Sequence, residues 1–279
     1  MNKFLGWMLQ LLVALIGVLL ISGLPTLIAG FQNREFLGKE YIEQVTGIFP
    51  LSDFLSLHLG THIREYIFYS LEILFLSLLA AVVFALIFTI LTMLFSEKAR
   101  QRIKSIFFFL EAIPDILVIL LVQLAIIFLY KNTGISLSIA VIGGEKLYAL
   151  PVFCLMILPM VQLYRLSMLT FEAEERKMYV ELARSLGYGK LAILIGHIFG
   201  NAIISVFFQS KKTKWFMLSN LFILERMFNM PGIMFHLGSN LSGELFLITV
   251  ISFFFPVFIM YSVGEWYFLR KMSRGGALE

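Results

Sequence analysis

A single cysteine, Cys154, rules out a disulfide within this 279-residue chain, and its place inside an apolar run makes it a small packing residue. Charge is also scarce: 14% of residues are charged, against about 25% in an average soluble domain. Hydrophobic residues make up 59% of the chain, more than one core of this size takes up, so much of that surface is expected to face lipid. Catalytic and nucleotide-binding motifs are missing. The nearest approach to Gly-x-x-x-x-Gly-Lys-Ser/Thr has Arg184 at the first glycine position and Leu191 at the hydroxyl position, so the chain is not expected to bind ATP itself. No Gly-x-Ser-x-Gly or comparable nucleophile–base arrangement occurs, which leaves an intramembrane enzyme without an assembled site. The net charge of +4 comes without a basic patch interleaved with aromatics, which argues against nucleic acid.

What the chain does have is long apolar runs. With about 20 apolar residues per helical crossing, five clear spans are expected, near 5–29, 67–95, 106–130, 147–170 and 245–269. The first is too long for the apolar region of a signal peptide and is read as a retained span. The 29 Phe and 10 Tyr suit a helical membrane protein with aromatic side chains at its interfaces. Residues 38–66 are expected to include a short amphipathic helix.

Lysine and arginine set the orientation. Residues 96–104 carry Lys98, Arg100, Arg102 and Lys104 against Glu97 alone, which places them in the cytoplasm. Segment 30–66 is richer in acids and fits outside. Lys3, residues 171–200 and the tail with Arg270, Lys271 and Arg274 then lie inside, so both termini are expected in the cytoplasm. Between residue 200 and the tail an even number of crossings is required, and only 245–269 is obvious. Residues 202–224 must supply the other. Their apolar halves flank Lys211, Lys212 and Lys214, so parity puts three lysines near mid-membrane. On an insertion scale each costs about 2.5–3.5 kcal/mol at the centre of a span, or about 8–10 for three before pairing or snorkelling. Lys211 and Lys214, three apart, would share a helical face. A cationic lining for an anionic solute and pairing with acids of a neighbouring subunit are both open readings.

The stretch from Tyr179 to Asn201 is a polar interruption centred on glycine. Charge alternates with small and apolar residues from Glu172 to Arg184. Gly187 and Gly189 then break the pattern, and Leu191 to Phe199 resumes an apolar helical run. A helix–turn–helix on the cytoplasmic face is expected, with Ala183 allowing close approach of a partner and Gly187 reversing the backbone where a Cβ would clash.

These residues resemble a known family. Glu181-x-Ala183 followed by Gly187 is similar to the EAA-loop signature of ATP-binding-cassette importer permeases. The Ala183-Arg184 pair, His197 ten residues after Gly187, and Asn201 four further on resemble the dipeptide/oligopeptide/nickel branch. The segment Glu225-x-x-Phe228-x-x-Pro231-Gly232 is similar to that branch's E-x-x-F-x-x-P-G. Ser70-Leu71-Glu72 and Ala112-Ile113-Pro114 sit where its second and third spans carry comparable motifs, so the resemblance covers about residues 67 to 270.

The resemblance implies an all-α type I fold of about six transmembrane helices. It would divide into a first span with an outer segment (1–66) and a permease core (67–279) containing the coupling loop 171–200. It implies half of a translocation path for peptides or related small solutes in the cytoplasmic membrane of a prokaryote. Implied partners are a second, non-identical permease, two cytoplasmic ATPase subunits holding ATP and magnesium, and an extracytoplasmic solute-binding protein. Tyr179, Glu181, Ala183, Arg184, Gly187, His197 and Asn201 would couple to the ATPase. Glu225, Phe228, Pro231 and Gly232 would be structural, and Lys211, Lys212 and Lys214 would line the path, no cofactor or metal being bound by this chain.

The chain departs from the branch in its lysine-bearing fifth span and in the absence of a proline–glycine–aspartate turn after the first span. The competing reading is a self-contained proton-coupled transporter that uses the intramembrane lysines with Glu111 and Asp115 as paired carboxylates; flanking Pro114, the two acids read more simply as boundary charges beside a proline kink. His58 and His62, four apart, lack the third ligand and the glutamate of a zinc helix, so a wet surface explains them better than a metal site.

Overall fold

The computed structural model describes residues 61–134, 146–239 and 243–275, together with isolated positions between 12 and 42. Most of the expected first span, most of segment 30–66 including His58, and the tail after residue 275 lie outside the described residues. Within them the chain is all-helical. In order, α1 is Thr61–Leu94, α2 Glu97–Glu111, α3 Asp115–Thr133, α4 Ala149–Glu175 and α5 Met178–Ser185. Then come α6 (Lys190–Ile193), a π-helical turn (Leu194–Ile198), α7 (Phe199–Ser210), α8 (Thr213–Met227), α9 (Ile233–Ser239) and α10 (Gly243–Gly275). Among the described residues five helical stretches are long and apolar enough to cross a membrane: His62–Leu94, Asp115–Thr133, Ala149–Glu175, Lys190–Phe208 and Leu245–Arg270. This is the character of a multi-pass membrane protein.

Two boundaries differ from the sequence reading. The expected span 106–130 begins only at Asp115, because Pro114 lacks an N–H and biases the residue before it away from helix. Residues 97–111 form the separate α2, with no buried residue and with Phe108 and Phe109 exposed. The expected loop 171–200 is helical almost throughout. Its final residues lead without a break into α7, so the apolar crossing stretch is Lys190–Phe208 rather than 202–224. The segment 202–224 is divided by a turn at Lys211–Lys212.

The chain separates into two compact units, 1–71 with 231–262, and 72–230 with 263–279. In the first, the hydroxyl of Ser70, fully buried, accepts a 2.9 Å hydrogen bond from the Ile233 backbone N–H, one of the unpaired donors at the start of α9. Tyr66 stacks on His236 with ring centroids 4.1 Å apart.

In the second unit α4 is the centre, packed against α2, α3, α7 and α8. Helix α1 adds a stripe of every fourth residue: Ile73, Ser77, Ala81, Ala85, Thr89 and Met93, all buried. Small side chains along one ridge let helix backbones approach closely. The two hydroxyls bond back to the carbonyls of Ile73 and Ala85, each at 2.7 Å, so neither is left unpaired. The opposite side of α1 carries exposed Leu76, Leu79, Val83, Ile87 and Leu91, as expected of a lipid-facing surface.

Candidate functional site

Residues 172–201 build one compact arrangement at the Glu175 end of α4. After Arg176 the chain turns and α5 follows for eight residues. Val180 and Ala183 on its inner face are buried in a core with Leu163, Tyr164, Met168 and Phe171 of α4 and Ile193, Leu194 and Ile198 beyond the turn. Ala183 is therefore small because α5 lies close against its own chain, which corrects the expectation that it leaves room for a partner.

The end of α5 is a Schellman cap. The Tyr188 N–H reaches the Ala183 carbonyl at 3.2 Å, the Gly187 N–H reaches that of Arg184 at 3.0 Å, and Gly187 has φ +83°. A Cβ on Gly187 would meet nothing within 4 Å. The glycine is required by its left-handed backbone and not by a steric clash, a second correction. The same cap closes α8: Met230 N–H to Glu225 O at 2.9 Å, Asn229 N–H to Arg226 O at 3.3 Å, and Asn229 at φ 50°. The segment Glu225–Phe228 thus ends a helix whose Glu225 and Phe228 are fully buried, and Pro231–Gly232 follow at the exit.

Charges anchor α5 from three directions. Glu175 receives Arg100 Nη1 at 2.7 Å and Arg184 Nη2 at 2.8 Å. Arg100 also donates to the carbonyls of Met93 (2.5 Å) and Phe95 (3.2 Å), and Lys190 Nζ donates to those of Leu94 (3.0 Å) and Phe95 (3.2 Å). Both cations thus sit at the carbonyl-bearing, negative end of α1. Glu174 accepts from Lys177 and from the Tyr179 hydroxyl, each at 2.6 Å, and Asn201 Nδ2 donates to the Tyr179 oxygen at 3.3 Å. Burial, reinforced by the bond to Glu174, pushes the Tyr179 phenol above its ordinary value. Lys104 closes the set on Glu172 at 2.9 Å.

Of the expected coupling residues, Tyr179, Arg184 and Asn201 therefore join the anchoring network, and His197 meets Tyr188 edge-on at 5.7 Å inside the π-helical turn. Glu181 is exposed. The outer face of α5 and its cap shows Met178 (85% exposed), Leu182 (61%) and Leu186 (68%), spaced four apart on one stripe.

The lysines divide. Lys211 Nζ contacts Glu265 of α10 at 2.5 Å and lies over the Phe208 ring, while Lys214 lies over Trp215. Lys212 is exposed beside Gln162, Arg165 and Glu111. Helices α7 and α8 both pack on α4, with Phe199 against Phe171 and with Asn220 lining one cavity with Cys154, Leu155, Leu158 and Pro159, so the turn comes level with Arg165. Arg165 is about 24 Å along the helix from Ala149 at about 1.5 Å per residue. Arg165 and Glu265 went unremarked in the sequence. A lone charge inside an apolar run, which demands a partner, was the available signal.

Glu111 and Asp115 have different surroundings: Arg165 lies 2.7 Å from Glu111 as an ion pair without a hydrogen bond, and Asp115 lines a small cavity with Asn220. Among the described residues no cluster of three metal-ligating side chains occurs. No protein-family model matches the chain, and no curated protein matches it.

Proposed function

We propose that the chain is a permease subunit of an ATP-binding-cassette importer, of the type I fold, forming half of a path for peptides or related small solutes. In this reading it lies in the cytoplasmic membrane of a prokaryote with both termini inside. It assembles with a second permease, two ATPase subunits that hold ATP and magnesium, and an extracytoplasmic solute-binding protein. The observation that carries the reading is the mismatch between the two faces of α5. Its inner face is fixed by a buried core, a Schellman cap and ion pairs, while its outer face offers Met178, Leu182 and Leu186 uncovered. A short helix held this firmly transmits displacement to α1, α2 and α4, and its apolar stripe suits a groove on a soluble motor.

The experiment is co-purification from native membranes. ATPase subunits should be recovered with the chain, and Leu182→Asp should release them while leaving the thermal unfolding of the isolated subunit unchanged. Glu181→Lys should weaken attachment or uncouple hydrolysis from uptake. Uptake by this chain alone in liposomes, driven by a proton gradient without ATP, would refute the subunit reading in favour of a proton-coupled carrier.

A further inference from the structure

Arg165, within the apolar run of α4, is half exposed, and Lys212, in the turn between α7 and α8, is exposed. Cations within spans face water-filled cavities or other polar groups rather than hydrocarbon. Between the two lies a cleft of about 230 Å³ lined by Glu111, Gln162, Arg165, Leu166, Lys212 and Thr213. Glu111 and Arg165 are paired, so their charges offset each other. Lys212 has no acid partner among the described residues, and the Gln162 amide makes no side-chain hydrogen bond there. The cleft therefore holds one uncompensated positive charge and a set of unused N–H donors.

We propose that this cleft binds the carboxylate of a passing solute, the Lys212 ammonium supplying the charge and the Gln162 amide a second hydrogen bond. A monoanion with two acceptor oxygens balances the single net charge. A doubly charged phosphate would leave a negative charge beside Glu111. The volume is smaller than the roughly 300–1,000 Å³ of sites that enclose a whole small molecule, which suits capture of one end group. The proposal deepens the importer reading and rests on it for the solute's passage, but the cleft's hydration and charge do not depend on an ATPase.

The test uses one reporter thiol. Cys154→Ala removes the only native cysteine, and Leu166→Cys places a new one in the cleft. In membrane vesicles opened to both faces, modification by a sulfonate-bearing and by a trimethylammonium-bearing methanethiosulfonate is timed, each relative to its rate with a small free thiol. The sulfonate should be favoured by about tenfold or more, as focused charge in a cleft allows. Lys212→Gln should abolish that preference and Glu111→Gln should increase it. N-acetylglycine should slow the reaction and N-acetylglycinamide should not. A thiol inert to both reagents would mean that lipid or a second subunit covers the cleft, and would overturn the proposal. A preference untouched by Lys212→Gln, or equal protection by acid and amide, would overturn it too. Absence of an ATPase partner would sink the importer reading and leave these rates where they are.

Discussion

Two regions along α4 treat charge in opposite ways. At its Glu175 end each of three acids is paired, Glu172 with Lys104, Glu174 with Lys177, and Glu175 with Arg100 and Arg184, and the further cation Lys190 donates to the carbonyls that end α1. Around Arg165 the pairing is incomplete: Glu111 meets Arg165 and Glu265 meets Lys211, while Lys212 has no acid partner among the described residues. Paired charge with helix-end carbonyls as extra acceptors is what a rigid attachment needs. Unpaired charge level with apolar spans is costly to keep, and persists where something else supplies the counter-charge. The first region is read as mechanical and the second as receptive.

The sharpest way to break that contrast is to remove the central acid of the paired region. The Arg100 and Glu175 side chains are only 11% and 18% exposed. Glu175→Gln leaves two guanidinium groups without their carboxylate, and orphaning one member of a buried pair costs about 3–5 kcal/mol. We expect a loss near the low end of that range, seen as a lowered unfolding temperature of the detergent-solubilised subunit. If Glu175→Gln proves no worse than neutralising Glu265 in the other region, the mechanical reading of the first fails.

Next in size are the positions around the α5 cap. Gly187→Val forces a β-branched side chain into a left-handed backbone, at about 1–2 kcal/mol. Gly187→Asn should be close to silent, because Asn229 already closes α8 with the same cap at φ 50°. Ala183→Leu should cost about 1–3 kcal/mol in the isolated subunit through overpacking. An unchanged unfolding temperature for Ala183→Leu would return Ala183 to the partner-facing side.

These substitutions also mark how far the residues alone could be read. Apolar run length located α1, α4 and α10 with one end of each off by five or six residues, because lipid-spanning helices leave a strong compositional trace while their polar ends do not. Gly187 was legible as a break, since glycine after a charged amphipathic stretch is a helix-end signal. The direction in which Ala183 points was not, because α5 offers too few residues for periodicity to separate its inner face from its outer one. Pro114 reads from the sequence as a kink within a span, and the full break between α2 and α3 does not, since the apolar run continues across it. The lysines were legible as an anomaly. Their separate fates depend on a turn at Lys211–Lys212 that sequence periodicity reads through. Partners from distant helices, Glu265 for Lys211 and Glu175 for Arg184, carry no local signal at all.

The smallest expected effect tests the receptive region from its paired side. Lys211 and Glu265 are 33% and 43% exposed, so their 2.5 Å contact is discounted toward the value of a solvated pair, at most about 1 kcal/mol. Glu265→Gln should therefore shift the unfolding temperature little. It should, however, free the Lys211 ammonium in the same layer as Lys212, adding to the local positive potential. A reporter thiol at Leu166 should then react still faster with the sulfonate reagent, though less so than after Glu111→Gln, whose carboxylate lines the cleft itself. A large loss of stability with no change in that rate would mean that Lys211 and Glu265 bind α10 to the bundle and nothing more. The excess charge of the region would then reduce to Lys212 beside Arg165.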